Sequence, residues 1–140
     1  MDYIQEFNNI MTEQKEIALA TITEDGPNVR IVNFCWDSTQ KGVLYFSTFG
    51  DNQKVREFEK NNTVAFTTVP LEGNAHVRVK RGTVTQSALT VYDLKDAFVR
   101  KIPDYAETIA QAGEYLVLFE IHFQEADVTV DLENSSRIIL

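Results

Sequence analysis

Apolar residues at the start of the chain recur with a helical period. Tyr3, Phe7, Ile10 and Met11 fall three or four positions apart between Asp2 and Gln14, and Asp2 is placed to cap the helix they predict. The pattern then changes character. Ile17 to Thr23 is β-branched and small, Glu24-Asp25-Gly26-Pro27 carries the turn chemistry of Asp-Gly, and Asn28 to Trp36 resumes strand composition, which predicts a hairpin. Gln40-Lys41-Gly42 turns the chain again, and Val43 to Thr48 predicts a third strand beside the hairpin.

After Gly50, Asp51 can cap a short helix running through Lys60, with Val55 and Phe58 inward and Lys54, Arg56, Glu57 and Glu59 largely in solvent. Thr63 to Val69 and Ala75 to Ser87 read as strands joined by the turn Pro70–Asn74, the second with Val77 and Val79 inward. Val91, Leu94, Phe98 and Ile102 restore helical spacing from Thr90. Pro103 breaks it, Asp104 restarts it with Glu107 three residues on, and Gly113 closes it. The last stretch, Tyr115 to Leu132, alternates Tyr115, Val117, Phe119, Ile121 and Phe123, then shifts phase to Ala126, Val128, Val130 and Leu132, which predicts one long strand with a bulge near Gln124-Glu125. Antiparallel strands interrupted rather than alternated by helices predict an α+β fold, a closed or nearly closed barrel of mainly antiparallel strands with flanking helices. With no repeat, linker or low-complexity segment, residues 1–140 are expected to form a single domain.

Composition narrows the function classes. A formal charge of −8 sets a repulsive average field against nucleic acid, while leaving room for a local basic seat for one phosphate. One cysteine, Cys35, allows no internal disulfide, and the acidic, amphipathic start is unlike a signal peptide; a cytoplasmic protein is expected. No apolar run approaches the roughly 20 residues of a spanning helix, so no membrane partner is expected. No Gly-x-Gly-x-x-Gly, P-loop or Gly-x-Ser-x-Gly motif is present, and His76 and His122 stand apart without metal-ligand spacing, so no metal is expected.

Three segments carry candidate chemistry. Arg30, inside Val29-Arg30-Ile31-Val32, either points outward or needs a partner within. Ser47-Thr48 at a strand end, followed by Gln53-Lys54 at a helix start, combines hydroxyls, free helix amides and an ammonium into an anion seat, or is an ordinary cap with a solvated lysine. His76, Arg78 and Lys80 share one strand face opposite Val77 and Val79. Cys35 reads as a small buried residue, and Asp127, Thr129 and Asp131 as the wet side of a strand.

Taken in order, Ala18–Thr21, Pro27–Val32, Leu44–Thr48, Gln53-Lys54-Val55, Asn61–Phe66 and Val77–Gly82 resemble the pyridoxamine 5′-phosphate oxidase-like FMN-binding split-barrel family. The resemblance covers about Ile17 to Thr83 and implies a split barrel and a homodimer with FMN at the subunit interface. It places the phosphate on Arg30, Ser47 or Thr48, and Lys54, helped by Gln53. The backbone of Ile31, Val32 and Asn33 would lie along the isoalloxazine ring, with His76 touching the flavin. An FMN-dependent oxidoreductase acting on an unknown small molecule is the implied function. A flavin-storing or flavin-sensing module, a deazaflavin-dependent relative and a structural domain with a vacant site are the alternatives. No side chain is assigned as catalytic. Ser135–Leu140 does not resemble the Arg- and Trp-bearing segment that grips substrate in true pyridoxamine 5′-phosphate oxidases, so that particular activity is not expected; Asn61-Asn62 stands in place of the family's Asn-Pro, and Gln53-Lys54 of its Arg-Lys.

Overall fold

A computed structural model describes residues 1–140. Helix α1 (Tyr3–Glu13) is capped as its sequence predicts, the Asp2 carboxylate accepting from the Gln5 amide at 3.1 Å, and it buries Phe7, Ile10 and Met11. Strands β1 (Glu16–Thr23) and β2 (Gly26–Asn33) form the expected hairpin, with Gly26 at φ +122°, a conformation that side chains with a Cβ rarely adopt.

The predicted strand Asn28–Trp36 is divided. Phe34 turns wholly into the core, its amide donating to the Lys15 carbonyl, and the two residues that follow form β3 (Cys35–Trp36), which pairs with β4 (Val43–Phe49) instead of β1. Helix α2 (Gln53–Lys60) is capped by Asn52 and not by Asp51, since the Asn52 side chain accepts from the Lys54 amide at 3.0 Å. Strands β5 (Thr63–Thr68) and β6 (His76–Gln86) follow. Helix α3 (Lys95–Lys101) begins later than the apolar spacing predicts, because the Asp93 carboxylate binds the Thr90 amide and hydroxyl and holds that segment as a turn. Helix α4 (Tyr105–Ala112) and a 3-10 turn (Gly113–Tyr115) lead into β7 (Leu116–His122), β8 (Glu125–Thr129) and β9 (Ser135–Ile139).

One curled, antiparallel sheet results, in the order β2-β1-β5-β6-β7-β4-β3, with β8 pairing β6 and β9. Strand β4 is therefore not the hairpin's neighbour, as its place in the sequence suggests. It lies near the opposite end of the sheet, which curls until β2 and β4 touch without pairing. This open seam makes the fold a split barrel with flanking helices.

The phase shift predicted in the last strand is real and shared. Strands β7 and β8 follow β6 in a single register, Phe119 opposite Gln86 and Thr129 opposite His76, with Phe123 and Gln124 unpaired between them. Across from that gap β6 changes phase too, burying Val84 and Gly82 and then Val79 and Val77, and its pairing with β5 slips between Val64 and Phe66. A Cβ on Gly82 would stand 2.8 Å from Ile121 Cγ2, so this corner needs glycine. Strand β9 is absent from the sequence reading; it pairs with β8 from Glu125–Ile139 to Thr129–Ser135 and buries Ile138.

Two apolar layers hold the sheet. Inside the barrel, Phe46, Phe58, Phe66, Phe119 and Phe123 interlock with Phe7 and the aliphatic residues of β1 and β6. Outside it, α3 and α4 cover the other side of β4 and β7, where Phe98 stacks on Tyr105 beside Cys35, Tyr45 and Leu118. Strand β4 is thus covered on both faces, with Leu44, Phe46 and Thr48 toward the barrel and Tyr45 and Ser47 toward the helices.

Candidate functional site

Arg30 sits opposite Leu19 in the β1–β2 ladder and points to the inner side of the sheet, its side chain 20% exposed. A guanidinium there needs partners. Its terminal nitrogens donate to Thr21 Oγ1 at 2.9 Å and to Glu57 Oε2 at 2.7 Å. Glu57, on α2, is 7% exposed and also accepts from the Thr21 hydroxyl at 2.8 Å and from Asn28 Nδ2 at 3.1 Å. Burial alone would raise its carboxyl; the hydrogen bonds of Asn28 and Thr21 and the charge of Arg30 outweigh it and hold the pKa below the usual carboxylate value. The expectation that Glu57 is solvated is therefore overturned: it faces β1 and β2 because the buried end of Arg30 has no other anion to meet.

One helical turn earlier, Lys54 donates to Thr48 Oγ1 at 2.7 Å and takes part in no ion pair. Its pKa is lowered, first by burial and next by the nearby charge of Arg30, with Glu57 opposing. Arg30 and Lys54, from separate elements, thus meet at the seam where β2 approaches β4.

The remaining sequence candidates are distributed around this pair. Thr48 belongs to it. Ser47, one residue back, projects from the opposite face of β4 and shares a hydrogen bond with the Tyr105 hydroxyl under α4. Gln53 is exposed at the start of α2, on the wall of a cavity that Glu57 also borders. Ile31 and Asn33 face outward from β2, while Val32 packs on the barrel core. His76 lies three strands from Arg30 with its ring toward the outer face, Nδ1 within 2.6 Å of the Asn74 carbonyl.

The donor set suits a phosphate group. Lys54 is a partly desolvated ammonium bonded only to a hydroxyl, and Arg30 spends two of its five N–H donors on Thr21 and Glu57. The seat carries Arg30 and Lys54 against Glu57, so its net charge is a single positive one.

Thr21, Asn28 and Glu57 were not singled out in the sequence. The signal for Glu57 was present, since it lies three residues after Lys54 and next to Phe58, on the helix face turned to the sheet. Lys101 was missed as well. It donates to the Met11 carbonyl at 2.8 Å near the end of α1 and lies over the Phe34 ring, and burial lowers its pKa to about 7 against the opposing influence of Cys35. Cys35 is buried as expected; burial pushes its thiol up to about 12, with Lys101 lowering it and Asp37 adding to the rise.

No helix is long and apolar enough to cross a membrane. No curated protein matches the sequence. Among solved structures, General Stress Protein 26 from Bacillus anthracis str. Sterne superposes with a TM-score of 0.76 at 17% identity over 100% of both chains. A heme binding protein from Mycobacterium smegmatis gives 0.77 at 11% identity; it covers 99% of this chain, which spans 58% of that longer one. A nimc/nima family protein from Clostridium acetobutylicum gives 0.67 at 14% identity over 99% of this chain and 95% of its own. At such identities these structures establish the fold. The sequence profile described as pyridoxamine 5′-phosphate oxidase-like matches residues 10–135, nearly the whole chain, and with the split barrel this places the protein in the pyridoxamine 5′-phosphate oxidase-like family.

Proposed function

We propose that this chain binds FMN by its phosphate at Arg30, Lys54 and Thr48, with Gln53 at the adjoining helix start, and acts as an FMN-dependent oxidoreductase on a small molecule. The observation that carries this reading is the meeting of two cations, 24 positions apart in the chain, at the barrel's open seam, one of them half-buried without a counter-ion. Each charge-assisted hydrogen bond to phosphate contributes about 1.5–3 kcal/mol. As the terminal strand of the sheet, β2 leaves the outer backbone groups of Ile31, Val32 and Asn33 unpaired by any neighbour, an edge along which a flat ring can lie. A bound flavin supplies hydride or electron transfer; the protein's part is to fix the phosphate and keep water from the ring.

The site is completed by a second copy. Val29 (64% exposed), Ile31 (54%) and Ile22 (51%) stand with Ala18, Ala20 and Ala65 on the outer face of β2, β1 and β5, where a groove of about 390 Å³ runs toward Arg78 and Lys80. An apolar strip beside a cofactor seat is what a two-fold, self-complementary interface covers. His76 lies on that same outer face, so a role for it at the ring requires the second copy.

The test is reconstitution. Purified protein titrated with FMN should quench flavin fluorescence and gain thermal stability, and Lys54→Met should weaken binding by about tenfold or more. Absence of binding by the wild-type chain sinks the reading. Bleaching of the bound flavin by NAD(P)H separates turnover from storage.

A further inference from the structure

Most phosphate seats gather positive charge; this one has a carboxylate built into it. Glu57 is buried, accepts hydrogen bonds from three residues on β1 and β2, and holds the guanidinium that would otherwise face an incoming anion. It also borders a cavity of about 530 Å³ whose other charged residues, Arg56 and Lys60 against Glu24 and Asp25, cancel. The charges coupled to Lys54 are those of Arg30 and Glu57.

We infer that Glu57 is a specificity-determining residue which limits the seat to a singly charged phosphate, so that a phosphodiester, or a phosphomonoester in its protonated form, is preferred over a phosphomonoester dianion. This rests on reading the seat as a phosphate site. The physical reason is that two positive charges shared with one fixed negative charge can neutralise one further negative charge. A second charge on the ligand lies unbalanced beside Glu57, which is itself buried. A phosphomonoester has its second pKa near 6, so above neutral pH FMN brings a second negative charge to the seat, and a cyclic phosphodiester brings only one. Glu57 cannot escape by protonation, since Asn28, Thr21 and Arg30 all stabilise its charged form.

The experiment compares FMN with riboflavin 4′,5′-cyclic phosphate at pH 8 by fluorescence titration, on wild type and Glu57→Gln. The thermal shifts produced by inorganic phosphate and by dimethyl phosphate are measured in parallel. Glutamine keeps an oxygen for Thr21 and Arg30 at the Oε2 position, removes the charge and gives up the acceptor that Asn28 Nδ2 uses at Oε1. The wild type should bind the cyclic phosphate more tightly than FMN, and Glu57→Gln should improve FMN binding about tenfold more than it improves the cyclic ligand. The inorganic pair should follow the same order. Gln53→Lys, at the exposed start of α2 and on the wall of the same cavity as Glu57, adds a positive charge and should move the ratio toward FMN as Glu57→Gln does, which keeps the test decisive if Glu57→Gln folds poorly. An unchanged ratio in both variants overturns the inference. If neither flavin binds but the inorganic ratio shifts, the inference stands and the FMN assignment falls; if no probe binds or stabilises either protein, both fall.

Discussion

Truncating Arg30 to alanine removes the counter-ion of a carboxylate that has 7% of its surface exposed. Leaving a buried charge unpaired costs several kcal/mol, and because Arg30 is itself partly exposed the loss should be at the lower end, about 3 kcal/mol by urea denaturation. Adding Glu57→Gln to Arg30→Ala should recover most of it; full additivity of the two losses would show that the residues do not act as a pair. The pH dependence has a defined sign. The folded-state pKa of Glu57 lies below the ordinary carboxylate value, so its stabilisation is complete above that ordinary value and is lost as pH falls through the lower, folded one. The stability advantage of wild type over Glu57→Gln should therefore shrink steadily on acidification from about pH 5. A gap that does not change with pH would refute the hydrogen-bonded, ionised carboxylate.

Among the elements, α3 is tied to α1 by Lys101, whose ammonium meets the Met11 carbonyl and the Phe34 ring. Its pKa of about 7 in the folded chain is far below the 10.5 of a free lysine, so between those values the unfolded chain binds more protons and folding becomes more favourable as pH rises. Relative to Lys101→Met, the wild type should thus gain stability from pH 7 to pH 10. A flat difference would mean that the amine is not desolvated. At the start of β4, a Cβ on Gly42 would lie 2.5 Å from the Phe123 carbonyl oxygen, which the backbone cannot vacate because Phe123 also donates to the Gly42 carbonyl. Gly42→Ala should cost about 1–3 kcal/mol in chemical denaturation.

These elements also mark what could be read in the sequence. Period and turn chemistry located α1, the first hairpin, α2 and the two central strands, since each is decided by residues close together. The division at Phe34 depends on Lys15, distant in the chain, and the cap at Asn52 on a choice between adjacent side chains that only loop geometry settles; Ser135–Ile139 pairs with its neighbour β8 across a turn whose Val130 and Leu132 continue the alternation of the strand before it. The same holds at the seat. Arg30, Thr48 and Lys54 carry visible chemistry, whereas Glu57 looks like one of several charges on a short helix until β2 is laid across it.

For the molecule as a whole, a sheet that curls but does not close leaves one apolar outer face at β2, β1 and β5 and a net charge of −8 over the chain. The proposed two-fold assembly predicts that Val29→Asp yields a monomer in sedimentation velocity and loses flavin affinity together with dimerisation, while keeping the circular dichroism of the wild type. Retention of the dimer would move the interface elsewhere. Residues 1–140 should unfold in one urea transition seen alike by fluorescence and circular dichroism, as expected of a chain whose two apolar layers share β4 and β7.

That shared strand has a mechanical consequence. Ser47 is fastened to Tyr105 beneath the helices, and the very next residue, Thr48, holds the ammonium at the seam. A single peptide unit separates the helical cover from the anion seat, and its two residues are anchored to α4 on one face of the strand and to α2 on the other.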